Sequence, residues 1–196
     1  MYKTIKLGKI RTSKIELIDL LKSWIAISLA FTIASAGLNF NINFLILMLI
    51  SAFTVGIGFL FHELAHKFVA QHYNCTAEFR SFDQMLIFAI VLSFIGFLFA
   101  APGAVMISGQ ITRKENGIIS VAGPLTNFTL ALVFLGVSFL HPVWSFVWIR
   151  GFQINLWLGL FNMIPFGNFD GVKIFRWNPY LWGGMVAFGV YFLFFL

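Results

Sequence analysis

The sequence predicts an all-α polytopic membrane protein with about six transmembrane helices and one small membrane-associated β-hairpin or sheet. Hydrophobic residues make up 60% of the 196 positions, charged residues make up only 10%, and Phe alone occurs 26 times. A soluble domain of this size could not bury so much apolar surface. Several apolar runs also approach the roughly 20 residues that a helix needs to cross a bilayer. We therefore expect a single membrane-embedded domain over residues 1–196.

The distribution of charge argues against nucleic acid as a partner and orients the chain. The net charge is +6, but the basic residues lie beside apolar runs rather than among aromatic residues that could stack on bases. The anionic leaflet of the lipid bilayer is the partner that this pattern indicates. Basic residues are frequent before the first apolar run, which predicts a multi-pass plasma-membrane protein with a cytoplasmic N-terminus. The lone Cys75 excludes an internal disulfide and a cysteine-rich zinc site.

The apolar runs set the order of the predicted spans. The expected spans are residues 23–40, 42–73, 118–140, 144–165 and 180–196, with a further apolar run at residues 85–107. The connection between the first two spans contains no Lys or Arg, which is typical of an outside loop. The second span then runs from outside to inside.

The apolar run at residues 85–107 has two possible paths. It is long enough to cross the bilayer once, but Pro102-Gly103 interrupts it. Under a single crossing the residues placed outside would be Arg113, Lys114, Lys173 and Arg176, whereas a run that enters and returns would keep all four inside. The positive-inside rule favours the re-entrant path.

A β-hairpin is predicted just before the Gly-Pro-x-x-Asn span. Two β-prone pieces, within residues 105–122, flank Asn116-Gly117, a dipeptide that favours tight hairpin turns. The alternative is a simple polar loop at the same place.

The sequence His-Glu-Leu-Ala-His at residues 62–66 ends the second apolar run and predicts a metal site inside the membrane. His62 and His66 stand at i and i+4, about 40° apart around a helix and roughly 6 Å apart along it, so both imidazoles can reach one ion. Glu63 follows the first histidine directly, where its carboxylate can take a proton from metal-activated water. Titratable groups in a membrane segment are costly and are usually functional.

A catalytic zinc usually has three protein ligands, so a third must lie elsewhere in the chain. Of the few acidic residues, Asp170 lies just past an apolar run, at a depth similar to that of His62 and His66. Its alternative role is a helix cap, and Asp83 is the second candidate ligand. His72 and His141 are expected to be non-ligands, because the first lies on another helical face and the second in an outer loop.

Two amides within apolar runs have two interpretations each. Asn127 and Asn162 can hold helices together by hydrogen bonds, which is the interpretation we favour for Asn127. For Asn162, donation to the substrate carbonyl or to its oxyanion is equally well supported.

Taken together, these motifs resemble those of the site-2 protease family of intramembrane zinc metalloproteases. The family's three motifs occur in order, as His-Glu-Leu-Ala-His, then Gly-Pro-x-x-Asn at 123–127, then Asn-x-x-Pro-x-x-x-x-Asp-Gly at 162–171. The resemblance implies a catalytic core over about residues 42–171, flanked by spans 23–40 and 180–196, with a membrane-embedded sheet between the first two motifs. Asn168 stands where the family often has a second proline.

The resemblance also implies which residues act and on what. His62, His66 and Asp170 would bind zinc (Zn2+), Glu63 would be the catalytic base, and Asn162 would lie by the substrate. The implied reaction is hydrolysis of peptide bonds within or near transmembrane segments of a membrane protein or peptide.

The alternative is a non-catalytic membrane zinc-binding protein, either a metal transporter or a pseudoprotease that binds transmembrane segments. Glu63 argues for catalysis, because a closed structural zinc site has no need of a base. A transporter would also carry more polar groups along a path through the bundle.

Overall fold

A computed structural model describes residues 4–7, 10–37, 41–98 and 102–195. Helices account for most of the described chain. The helices are α1 (Lys14–Ala36), α2 (Ile42–Ser51), α3 (Ile57–His72), α4 (Asp83–Ser93), α5 (Arg113–Leu140), α6 (Ser145–Asn162), α7 (Asp170–Trp177) and α8 (Pro179–Phe195). The strands form two antiparallel pairs, β1 (Thr4–Leu7) with β2 (Ile10–Ser13) and β3 (Thr76–Ser81) with β4 (Gly103–Ser108).

The first long helix begins earlier than the hydropathy pattern predicts. The Ser13 side chain accepts a hydrogen bond from the backbone N–H of Glu16, which caps α1 at Lys14 rather than near residue 23. The charged residues from Lys14 to Lys22 therefore lie in the first turns of the same helix. The predicted end of this span, Phe40, lies outside the described residues.

The second predicted span forms one continuous helical stretch, Ile42–His72. A π-helical turn, Ala52–Gly56, joins α2 to α3 within it. Trp24 of α1 donates from its indole N–H to the carbonyl of Ala52, 3.0 Å away, at this turn. Such turns are commonly found near functional sites.

The sheet next to α3 differs from the predicted hairpin. Its register pairs Phe79 with Val105, so β4 pairs with a strand that precedes α4 in the chain. Asn116-Gly117 lies in the first turns of α5, and the hairpin prediction was wrong. The reason is a capping box, in which the Thr112 side chain accepts from the N–H of Glu115 and the Glu115 carboxylate accepts from the N–H of Thr112.

The two described ends of the apolar run at residues 85–107 lie close together. Ser81, before α4, is the cross-strand partner of Gly103, so both ends of the run lie side by side. The helix α4 has 11 residues, which gives a length of about 16 Å, roughly half of a bilayer's hydrocarbon core. This path agrees with the re-entrant interpretation.

Three of the described helical stretches are long and apolar enough to cross a membrane, namely Lys14–Ala36, Ile42–His72 and Arg113–Leu140. The helices α4 and α8 are apolar but shorter. The mostly helical class with a small sheet is thus confirmed, while the number of about six spans stays a prediction.

The apolar core joins the helices that carry the three motifs to their neighbours. One cluster of buried side chains includes Phe128, Phe134, Phe152 and Ile174 and packs α5, α6 and α7 together. A second cluster includes Phe59 of α3 and Phe79 of β3, whose rings meet edge to face at 5.5 Å. The helix α3 is thereby held between the sheet on one face and α5 on another.

Candidate metal centre

The helix α3 presents His62 and His66 on one buried face. Both residues are less than a tenth exposed, and their Nε2 atoms lie 3.0 Å apart. The i, i+4 spacing makes this arrangement a direct consequence of helix geometry.

Asp170 completes a cluster of three potential ligands. It is the first residue of α7, where the helix dipole favours a carboxylate. Its Oδ2 atom lies 2.9 Å from His66 Nε2 and 3.3 Å from His62 Nε2. A Cβ on the next residue, Gly171, would stand 2.2 Å from the carbonyl oxygen of Met163, so this glycine allows α7 to pack closely on the end of α6.

The charge state of Asp170 suits a metal ligand. Burial by itself raises the pKa of the carboxyl, but the imidazoles of His66 and His62 hold that pKa well below its usual range. The Nζ atom of Lys173 lies 3.5 Å from the other oxygen, Oδ1. Asp170 is therefore ionised, with Oδ2 facing the two histidines.

The donor set and its spacing fit a zinc ion. The possible ligand atoms of His62, His66 and Asp170 all lie within 4.8 Å of one another. Two nitrogens and one carboxylate oxygen are donors that zinc accepts, and tetrahedral ligands about 2.0–2.1 Å from zinc stand about 3.3 Å apart. Gly123 of α5 keeps room there, because a Cβ at this position would come within 2.3 Å of His66 Nε2 and 2.5 Å of His62 Nε2.

The helix α5 fixes the orientation of both imidazoles. The Nδ1 atom of His66 lies 2.7 Å from the carbonyl oxygen of Ile119, and Nδ1 of His62 lies 2.6 Å from Oδ1 of Asn127. A carbonyl oxygen only accepts, so each Nδ1 carries a hydrogen, and it is the neutral form of each ring that presents a lone pair on Nε2. Both lone pairs are then available to a metal, which is the arrangement that supporting hydrogen bonds produce in known sites.

A buried amide network sets the direction of Asn127. Its Nδ2 atom donates to the carbonyl of Gly58, 3.1 Å away, and to Oδ1 of Asn155, 3.2 Å away. Asn155 in turn donates to the carbonyl of Gly151, and both asparagines are 0% exposed. Asn127 makes the interhelical hydrogen bonds expected from the sequence, and through them it orients His62. The roles of Asn155 and of the Ile119 carbonyl were missed, although an amide in an apolar helix was the available signal for Asn155.

Glu63 lies beside the cluster without belonging to it. Its carboxyl interacts with His62, with Asp170 and with the backbone amide of Val105 on β4. This carboxylate thus faces both the ligand cluster and β4. That is where a general base would have to meet a peptide bond.

The other residues considered from the sequence lie apart from the cluster. Asn162 ends α6, and its Nδ2 atom donates to the carbonyl of Leu158 on the same helix, so its role toward a substrate stays a prediction. Asp83, the second candidate ligand, pairs instead with Lys22 at 2.8 Å. His72 and His141 are exposed and do not join the described ligand cluster.

Two histidines and an aspartate around one point, beside a further carboxylate and among long apolar helices, define a metal centre of the metallohydrolase kind. The chain is 43% identical over 177 residues to "Putative zinc metalloprotease MJ0611" of Methanocaldococcus jannaschii, a match that covers 88% of this chain and 89% of that protein. The chain therefore belongs to the zinc metalloprotease family. Zinc is accordingly its metal, as the sequence predicts.

A second protein of the same organism, "Zinc metalloprotease MJ0392", is 26% identical over 180 residues. This match covers 88% of the chain but only 44% of that relative, so the chain spans less than half of its length. No family model matches the sequence. No solved structure matches it either.

Proposed function

We propose that this protein is an intramembrane zinc metalloprotease of the site-2 type, which hydrolyses peptide bonds within or near transmembrane segments of other membrane proteins. The observation that carries the proposal is the position of the His62, His66 and Asp170 cluster. Two of these residues lie within a 31-residue apolar helical stretch, and the third lies just past another apolar run. A peptidase centre at this place acts on substrates that are themselves in the membrane.

The residues in and around the ligand cluster have different proposed roles. His62, His66 and Asp170 would hold zinc, which when bound polarises a scissile carbonyl and makes water more acidic. Glu63 takes the proton of the attacking water and passes it to the leaving amine. Asn127 and the Ile119 carbonyl keep both imidazoles in the required tautomer.

The outer edge of β4 offers a place for the substrate backbone. The N–H of Phe79 donates to Glu16 and therefore points away from β4, which makes Phe79 and Val105 a non-hydrogen-bonded pair. The N–H and C=O groups of Val105 then point to the opposite edge, toward Glu63. Within the described part of the chain, no strand pairs with this edge. A substrate segment that unwinds could replace its helical hydrogen bonds by pairing there.

The basic residues support a cytoplasmic position for the metal centre and for the N-terminus in the plasma membrane. The guanidinium of Arg113 donates to the carbonyl of Arg176, so the start of α5 and the end of α7 lie together. Lys173 lies on the same helix as Asp170. A catalytic core near residues 42–171 would then open toward the cytoplasm, from which water reaches the site.

The alternative functions do not account for Glu63. A metal transporter needs further polar groups along a path through the bundle, and a pseudoprotease binds transmembrane segments but cuts none of them. Neither function requires a carboxylate that faces both the ligand cluster and β4.

The decisive experiment is cleavage of a panel of single-span membrane proteins by the purified protein in detergent or liposomes. We expect cleavage that a zinc chelator abolishes and that added zinc restores. Glu63→Gln should retain zinc but lose activity by at least about 100-fold, the scale of general-base catalysis. Full activity in Glu63→Gln would refute the assignment of the base, and zinc-bound protein that cuts no substrate would favour the pseudoprotease.

A further inference from the structure

A second buried pair of charges lies outside the metal centre. Glu16 of α1 is 0% exposed and Lys67 of α3 is 2% exposed, and the ammonium group of Lys67 donates to Oε2 of Glu16. These residues are 51 positions apart in the sequence. Isolated buried charges are costly, so the surroundings of the pair must compensate both of them.

The Glu16 carboxylate is fully used by three different elements. Oε2 accepts from Lys67 and from the hydroxyl of Thr12 on β2, 2.7 Å away. Oε1 accepts from the backbone N–H of Phe79 on β3, 3.0 Å away. One side chain thereby ties α1, the metal-binding helix and the sheet together.

These contacts close a ring that contains the catalytic base. Lys67 lies four residues after Glu63, so both project from the same side of α3. Lys67 binds Glu16, Glu16 binds the N–H of Phe79, and Phe79 is the cross-strand partner of Val105. The amide of Val105 interacts with Glu63, which completes the ring.

From this ring we propose that Glu16 and Lys67 are positioning residues, which set the distance between the β4 edge and Glu63. The inference rests on the proposed function, in which a substrate pairs with that edge. The ring fixes the sheet relative to α3 at two points one helical turn apart. Neither residue touches the ligand cluster, so the pair acts on substrate placement rather than on metal binding.

Glu16→Gln and Lys67→Met test the proposal, because each removes one charge and keeps most of the side-chain shape. We expect zinc content equal to wild type and a kcat per zinc-loaded protein lower by about 10- to 100-fold, the cost of a misplacement near 1 Å. The KM should change much less, because the substrate still pairs with β4. Lys22→Gln, which removes an exposed charge from the same helix as Glu16, is the matched control and should stay within about twofold of wild type.

A leftover buried charge can itself impair folding, so the double variant Glu16→Gln/Lys67→Met is included. Neutral replacement of a buried ion pair often preserves stability. We expect the double variant to fold and to show the same loss of kcat. A wild-type kcat in the folded double variant would overturn the proposal, since it would show that the pair serves stability alone.

A distance measurement separates this proposal from the proposed function. Phe68 on α3 and Met106 on β4 are 43% and 48% exposed, so both accept spin labels after substitution by cysteine in a Cys75→Ala background. We expect one narrow distance distribution in the otherwise wild-type chain and a shifted or broadened one in Glu16→Gln. If no substrate is cleaved by wild type, the proposed function fails while the distances still test the ring. An unchanged distribution in folded Glu16→Gln would overturn the ring.

Discussion

Gly123 favours the metal centre but destabilises its own helix. A helix with glycine in its interior is less stable than one with alanine by roughly 0.5–1 kcal/mol. Here it stands opposite both Nε2 atoms, which Ile119 and Asn127 hold in place through the other ring nitrogens. The imidazoles therefore cannot swing away from an added methyl group. A metal centre at this position requires the absence of a side chain.

Gly123→Ala should accordingly weaken zinc binding without unfolding the protein. We expect zinc affinity to fall by at least about 10- to 100-fold, as when orientation of a ligand is lost. Gly136→Ala is the control on the same helix, because, apart from the adjoining residues and backbone of its own helix, no described atom lies within 4 Å of the place that its new methyl group would take. It should raise stability by about 0.5–1 kcal/mol. Zinc titration against a competing chelator, with thermal unfolding of both variants, provides the measurement. A Gly123→Ala protein with wild-type zinc affinity would contradict this account of the site.

At the scale of elements, local signals and long-range contacts differ in what a sequence can predict. The i, i+4 histidines and the helix that carries them follow from local periodicity. Elimination among the acidic residues, depth and the resemblance to a known family pointed to Asp170. The hairpin prediction failed because Asn116-Gly117 was taken as a turn, while Thr112 and Glu115 form a capping box that starts a helix. The strand partner of β4 lies before α4. Local sequence patterns do not predict pairing between strands so far apart in the chain.

Substrate pairing with the outer edge of β4 can be tested by a substitution that does not change the proposed base, Glu63. Ile107 lies two residues beyond Val105, so its N–H also points away from β3. Ile107→Pro removes this donor but no bond to β3. If substrates pair with the edge, kcat/KM should fall by about three- to tenfold, the worth of one hydrogen bond. Ile107→Ala, which loses side-chain packing but keeps the N–H, is the control. Equal kcat/KM in the two variants would argue against pairing at Ile107.

At the scale of the whole molecule, the metal centre depends on where distant segments meet. Asp170 can join His62 and His66 only if the chain between them returns to the same side of the membrane. The pairing of Ser81 with Gly103 and the contact of Arg113 with the Arg176 carbonyl both bring the chain back. These contacts span tens of residues, which is why charge counting could only favour this path over a single crossing.

A re-entrant path for residues 85–107 predicts which surfaces face the cytoplasm. Single cysteines introduced by Lys14→Cys, Lys114→Cys and Arg176→Cys, in a Cys75→Ala background, should be protected from a membrane-impermeant maleimide applied outside intact cells. Val143→Cys, at a position 89% exposed between α5 and α6, should react from outside. Permeabilised cells provide the control, because all four positions should then be labelled. Outside labelling of Arg176→Cys but not of Lys14→Cys would mean that residues 85–107 cross the bilayer once. Asp170 would then enter from the side opposite to the cytoplasmic end of α3, and the three ligands could not meet.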